Sequence, residues 1–386
     1  MSESSFFLGK RKIARAEDLW RHRYWPQKGR AGPPLMTKLR SFGICDVQYG
    51  GKMDQILWKM CMHAFRLSVF FVFAFTCFTS PSWAQSLRPA DVLERLRRAS
   101  NSQDPCLGQN IGHSDQDMAA GYRRWFEPLL KSNNYRLHVL GMDLGFERLR
   151  LDDDEFALAV DHARRGGVVT ISMHPRNPWR STDSHDVENV NPVELFQHGT
   201  AANIRWSGMV DQLARTLKRL KSENVAVLFR PFHEMNGGWF WWGGSQAHPR
   251  FSSEEFVRIW RDLHQELAVR NNLDNLIWVY SPSVQYEAHR EFSVMHYYPG
   301  DDVVDVVGLD FYGNDVSLID RNRSYSALQQ TKKPFAFCEF GPSQNAHSYN
   351  LANILTQTKA QFPNTAYILF WHSWGERKMA VVELFD

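Results

Sequence analysis

Two glutamates stand out by their setting. Glu234 lies in Arg230-Pro231-Phe232-His233-Glu234-Met235-Asn236-Gly237-Gly238-Trp239-Phe240-Trp241-Trp242-Gly243, directly after the apolar run Val225-Ala226-Val227-Leu228-Phe229. Glu339 follows Phe335-Ala336-Phe337-Cys338 and precedes Phe340-Gly341. An acid beside a cation and four aromatic rings places a proton donor next to flat apolar surfaces of sugar size. Two carboxyls facing each other across a cleft can break a glycosidic bond. In the retaining version they stand roughly 5–5.5 Å apart, one protonating the leaving oxygen while the other attacks the anomeric carbon.

Such residues need a scaffold that delivers them to one place. Eight short apolar runs, rich in β-branched and aromatic residues, read as strands: Cys106-Leu107-Gly108-Gln109, Leu137 to Met142, Val168 to Met173, Val225 to Phe229, Leu276 to Tyr280, Val303 to Leu309, Phe335 to Phe337 and Tyr367 to Phe370. Longer amphipathic segments separate them. In Ser253 to Arg270, apolar residues at Phe256, Ile259, Trp260, Leu263 and Leu267 have helical spacing and are expected to face a barrel wall. The alternation predicts a parallel sheet and an α/β fold, a (β/α)8 TIM barrel, which takes about 250 residues. Loops at the C-terminal strand ends of such a barrel converge on one mouth. There fall His174 after the third strand, Arg230, His233 and Glu234 at the fourth, Asp310 and Tyr312 at the sixth, Glu339 at the seventh and Trp371 at the eighth.

The first quarter of the chain is of another kind. Leu67 to Phe78 is apolar, follows Lys59, His63 and Arg66, and precedes Ser82-Trp83-Ala84, the profile of a secretory signal cleaved after Ala84. It is short of the about 20 residues a membrane span needs, so no stable membrane insertion is expected. Residues 53–84 are thus read as a signal peptide and 1–52 as a start site placed too early or a basic, disordered extension, with Met53, Met60 and Met62 as alternative starts. Residues 85–386 are read as one catalytic domain. The whole chain carries 45 basic and 42 acidic side chains, but residues 1–84 hold 13 and 5 of them, which leaves the remainder with 32 and 37, a net −5. Nucleic-acid binding therefore has no compositional support. Cys106 and Cys338 are the cysteines left in an exported form, expected as two buried thiols, with a disulfide as the alternative.

The run Arg-Pro-Phe-His-Glu-Met-Asn-Gly with its Trp/Phe cluster resembles the strand-4 signature of glycoside hydrolase family 26, the β-mannanase family. The resemblance covers about Gln85 to Asp386, with motifs at strands 4, 6 (GLDFYGND) and 7 (FAFCEFG). It implies that Glu234 is the acid/base and Glu339 the nucleophile of a retaining, secreted endo-β-1,4-mannanase. His174, Arg230, His233, Trp239, Asp310, Tyr312 and Trp371 would then line the substrate site, with Trp179 and Trp374 as weaker candidates. The aromatic surroundings should raise the Glu234 pKa by desolvation, while Tyr312 and Arg230 should steady an ionised Glu339. Three tryptophans in four positions cannot all face one way, so one of Trp239, Trp241 and Trp242 is expected in the core.

Competing chemistry finds little footing. A zinc protease helix needs a second His four residues after His233, and that position is Gly237. Asp152-Asp153-Asp154-Glu155 lacks calcium-loop spacing and suits the acidic start of a helix. There is no phosphate cradle and no Gly-x-Ser-x-Gly elbow. No cofactor and no metal are expected, and a polysaccharide is the expected partner of a monomer. Hydrolysis of mixed-linkage β-glucan or β-1,3-xylan is the alternative within the family, and a silent glycan-binding barrel the alternative outside it. After Trp374 only a short tail follows, from which a reduced last helix, or a truncated chain, is expected.

Overall fold

Eight parallel strands close on themselves in sequential order in the computed structural model: β1 Cys106–His113, β2 Val139–Leu144, β3 Val168–Met173, β4 Val227–Arg230, β5 Leu276–Tyr280, β6 Val306–Tyr312, β7 Phe335–Gly341 and β8 Thr365–Phe370. The described residues are 86–102, 106–131, 139–145, 148–286, 290–343, 349–374 and 377–384. The expected signal segment lies outside them. This is the (β/α)8 barrel that the alternation of apolar runs predicts.

The strand cores coincide with the apolar runs, but several strands reach further toward the mouth. β1 continues through Asn110 to His113, β6 through Asp310 to Tyr312, and β7 through Glu339 to Gly341. These extensions carry polar side chains, so they do not read as apolar runs. The parallel ladders also break register there, between Asn110 and His113 on β1, Leu309 and Asp310 on β6, and Phe337 and Phe340 on β7. Such breaks re-aim side chains. Glu339 sits within the break between β7 and β8.

Outside the strands, α1 (Pro89–Ser102) contributes Val92, Leu96 and Ala99 to an apolar cluster with Cys106, Val139, Val168, Leu228, Val306 and Cys338 of the strands. Then come α2 (Met118–Gly121), which runs through a π turn into α3 (Glu127–Lys131), and α4 (Asp153–Arg164). α5 (Pro192–Phe196), α6 (Ala201–Ser222) and α7 (Ser253–His264) follow, then α8 (Ser324–Gln329), α9 (Leu351–Gln361) and the short α10 (Val381–Leu384).

Asp152 caps α4 in a reciprocal capping box with Glu155, so the acidic run does open a helix. Ser252 and Glu255 do the same for α7, whose Phe256, Ile259, Trp260 and Leu263 are all buried. Leu267 is buried too, although the backbone from Gln265 to Arg270 is a π-helix rather than a continuation of the α-helix. Cys106 and Cys338 are both free and buried. No described helix is long and apolar enough to cross a membrane.

Candidate active site

β4 ends where Pro231 lacks the N–H that would continue the ladder. The chain then turns sharply: Phe232 and Glu234 both adopt left-handed backbone, at φ of 51° and 54°. For non-glycine residues this costs on the order of 1 kcal/mol each and persists only where the surroundings impose it. Here Phe232 is fully buried, and the Glu234 N–H donates to the Ser281 carbonyl at 2.8 Å. Asn236 fixes the rest of the turn, its amide donating to the Ser283 carbonyl at 2.9 Å and accepting from the Ser283 N–H at 2.9 Å. The turn holds the Glu234 side chain in the mouth.

Arg230, 1% exposed, lies beneath the two glutamates. Its guanidinium donates to Asp310 Oδ2 at 2.9 Å and to Glu339 Oε1 at 2.6 Å. Burial opposes its charge, yet Asp310 and Glu339 hold it well above the ordinary arginine range. The other Asp310 oxygen accepts from the Ser281 hydroxyl at 2.5 Å, and Tyr312 donates to Glu339 Oε2 at 2.5 Å. Asp310 and Glu339 are neighbours across the β6–β7 ladder, so the sheet itself brings them together.

Carboxylate oxygens of Glu234, Asp310 and Glu339 lie within 4.8 Å of one another. Three acids and one cation so close favour a proton on one acid. Two of the acids are raised: burial takes Asp310 well above the usual carboxylate range against the charge of Arg230, and burial first, then the charge of Glu339, push Glu234 up to about 8, against the indole N–H of Trp239, which donates to its Oε2 at 2.6 Å. Asp310 is held by Arg230 and Ser281, so Glu234 is the acid placed to give a proton to a ligand in the cleft. The same donor atoms could in principle hold a cation, but the Arg230 guanidinium already occupies Asp310 and Glu339.

The cleft has two lobes that share Glu234 and Tyr312. One, of about 630 Å³, is lined by Glu339, His174, His233, Trp371 and Trp374. The other, of about 560 Å³, is lined by Trp239, Asp310, Ser283, His248 and Glu291. Every site residue predicted from the sequence except the weaker candidate Trp179 is thus at the barrel mouth, with Arg230 bonded to Asp310 and Glu339. Trp179 is elsewhere, packed edge-on against Trp241. Two of the clustered tryptophans are core rather than one. Trp241 and Trp242 are fully buried, and their indoles donate to the Pro175 and His233 carbonyls at 2.8 Å.

Sequence reading missed a buried polar row beside the first lobe. Nδ1 of His113 and Nδ1 of His174 each lie 2.8 Å from Asp143 Oδ1, and the Ser172 hydroxyl donates to Asp143 Oδ2. Burial works against the Asp143 charge, but the two histidines hold its carboxyl well below the usual range. The donor atoms of His113, Asp143 and His174 cluster as metal ligands do, yet both Nδ1 atoms are already spent on one carboxylate oxygen. His174 Nε2 faces His233 Nε2 at 3.2 Å, and the latter is 3.7 Å from Glu339 Oε1. Burial and the Arg230 charge push His233 well below the ordinary imidazole value, so it is neutral. A polar residue at the mouth end of β1 and of β2 was the available signal.

A family model described as glycosyl hydrolase family 26 matches residues 149–383. Among curated proteins, the mannan endo-1,4-beta-mannosidase A and B of Caldalkalibacillus mannanilyticus is 41% identical over 222 residues, covering 55% of this chain and 41% of that protein. A mannan endo-1,4-beta-mannosidase of Bacillus subtilis is 33% identical over 216 residues, covering 55% of this chain and 58% of that protein. The chain spans about half the length of these curated relatives. Among solved structures, the Bacillus subtilis mannanase BCman superposes with a TM-score of 0.64 at 27% identity, over 75% of this chain and 89% of that one.

Proposed function

This chain belongs to glycosyl hydrolase family 26, and from that membership we propose that it is an endo-β-1,4-mannanase that cleaves with retention of configuration. The observation that carries the reading is the approach of Glu234 and Glu339, whose carboxylate oxygens come within 4.8 Å. So close an approach suits a retaining pair, whose carboxyls stand about 5–5.5 Å apart, better than an inverting pair, whose carboxyls stand roughly 6.5–9.5 Å apart around a water.

In the first step Glu234 gives its proton to the glycosidic oxygen as that bond breaks, and Glu339 bonds to the anomeric carbon. The leaving sugar departs, and an ester to Glu339 remains. In the second step Glu234, now a carboxylate, takes a proton from water whose oxygen replaces Glu339 at the same carbon. Arg230 and Tyr312 hold the Glu339 oxygens in place for both displacements. Glu339 borders only the larger lobe, while Glu234 borders both. The sugar under attack therefore lies in the larger lobe, with Trp371 in its wall, and the leaving sugar in the smaller lobe with Trp239. Aromatic faces suit the apolar C–H faces of sugar rings.

Mannan is the substrate on the strength of the names its relatives carry. The apolar run within residues 53–84 supports export and removal of the leader, leaving a catalytic domain from residue 85. The protein acts as a monomer, and no step requires a metal. The test is product analysis with linear mannan, mixed-linkage β-glucan and β-1,3-xylan in parallel, beside Glu339→Ala. Manno-oligosaccharides released with retained configuration by the parent alone are expected. Cleavage of another polymer only would overturn the substrate, and equal activity in Glu339→Ala would overturn the nucleophile.

A further inference from the structure

Asp143 borders neither lobe of the cleft, yet two histidines link it to Glu339. It stands near the mouth end of β2 with no surface open to solvent. A carboxylate so placed is expensive unless donors surround it. Three do: Nδ1 of His113 and Nδ1 of His174 on Oδ1, each at 2.8 Å, and the Ser172 hydroxyl on Oδ2.

A neutral amide of the same shape would meet the same three groups. What a carboxylate adds is direction. It only accepts, so a neutral ring that touches it carries its proton on Nδ1 and leaves Nε2 as a lone pair. For His174 that bare nitrogen meets Nε2 of His233 at 3.2 Å.

His233 is neutral and has a single ring proton to place. Its Nδ1 is buried and has no hydrogen-bond partner among the described residues. A proton there would be a buried donor without an acceptor, and Nε2 would turn its lone pair on the Glu339 carboxylate, 3.7 Å away. A proton on Nε2 instead satisfies the His174 lone pair and presents a positive edge to Glu339. Both ends of the chain of contacts favour the same tautomer.

We propose that Asp143 is a positioning residue for the nucleophile: by holding His174 as the Nδ1–H tautomer, it fixes the His233 proton on Nε2, beside Glu339. The inference rests on the reading of Glu339 given under Proposed function. Arg230 and Tyr312 donate to the two Glu339 oxygens. His233 adds an uncharged donor edge on the Oε1 side, and Asp143 orients it from β2 without bordering the cleft.

The test reads the ring protons in the full chain. Long-range proton–nitrogen correlation NMR of histidine-labelled protein separates protonated from bare ring nitrogens, and His174→Gln and His233→Gln assign the signals. The parent should carry the His174 proton on Nδ1 and the His233 proton on Nε2. In Asp143→Asn the Ser172 hydroxyl keeps the amide oxygen on its side and turns the NH2 toward the rings. His174 must then accept at Nδ1, so its proton moves to Nε2 and the His233 proton to Nδ1. An amide in place of an orienting carboxylate keeps the geometry, imposes the wrong tautomer and lowers the rate. The second readout is kcat/KM on an aryl β-mannoside whose dinitrophenol leaving group needs little protonation, which reports attack by Glu339 rather than proton delivery by Glu234. It should fall about tenfold or more. Asp143→Leu, with no polar atom, must spread the His233 proton over both nitrogens and lower the same rate, and it serves if the amide variant does not fold. A parent with the His233 proton on Nδ1, or variants with an unchanged tautomer or a kcat/KM within about twofold of the parent, would overturn the inference. A parent that cleaves neither mannan nor the aryl mannoside would instead overturn the mannanase reading, and the ring protons would still decide whether Asp143 sets the tautomers.

Discussion

If Glu339 helps to keep Glu234 protonated, neutralising Glu339 must release that proton. Glu339→Gln retains the side-chain shape and removes one charge. With the nearest carboxylate oxygens no more than 4.8 Å apart and an effective dielectric of about 20, a charge pair at that limit repels by about 3.5 kcal/mol, or roughly 2.5 pH units. Glu234 is partly open to solvent, which trims the expected fall to about two pH units. It should start from about 8 and still end above the ordinary glutamate value of 4.5, because burial is the larger cause of its shift. Carbon-13 NMR of protein labelled at the glutamate side-chain carboxyls reads this directly, with the Glu234→Gln/Glu339→Gln double variant assigning the resonance. A fall of less than about half a pH unit would refute the reasoning and leave burial as the only cause. The ester at Glu339 removes the same charge during turnover, so Glu234 would become a base at the moment a base is needed.

Four further outcomes are expected. Because Glu234 must carry a proton to act, kcat/KM should decline as pH rises through about 8, and a pH-rate profile flat to pH 10 would contradict this. The raised value also means that the folded state loses stability from this group between its ordinary pKa and about 8, so Glu234→Gln should gain Tm relative to the parent at pH 9 compared with pH 5. A Cβ at Gly237 would lie 2.1 Å from the Trp239 ring, so Gly237→Ala should displace the indole and lower kcat/KM for oligosaccharides about tenfold or more while urea unfolding shifts little. Arg230→Met leaves Asp310 and Glu339 unpaired in a buried site. Denaturant unfolding should show a loss of about 3–5 kcal/mol, and a loss under about 1 kcal/mol would speak against the pairing.

Much of the barrel is legible in the sequence because each strand core has a buried apolar run. The strand ends at the mouth are not, because Asn110, His113, Asp310, Tyr312 and Glu339 are polar and still lie on the ladder. Glu339 could be found because it directly follows such a run, and Glu234 because the motif that carries it does. Asp143 lies just as near the mouth, within Gly141-Met142-Asp143-Leu144, but its partners are His113 at the end of β1 and His174 just after β3. Only the pairing of β1, β2 and β3 makes them neighbours. Glu291 had no local signal at all, since its position depends on Asn236 and Gln246 far away in sequence. Likewise, which tryptophans turn inward was decided by packing: Trp241 and Trp242 reach carbonyls in the core, while Trp239 reaches Glu234.

Barrel closure links β1 directly to β8, with Cys106 opposite Tyr367 and Gln109 opposite Phe370, and α1 lies against the same last strand. On a ribosome, β1 emerges more than two hundred residues before its partner. Until β8 arrives, β1 and β7 are open edges able to pair with other chains. A nascent or interrupted chain ending before Thr365 would thus carry every residue of the carboxylate cluster and still be prone to aggregate. Binding of α1 to the strand starts, through Val92, Leu96 and Ala99, shields one end of the unfinished sheet during that wait. Yield of soluble protein should therefore respond to changes in α1 more strongly than the distance of that helix from the mouth would imply.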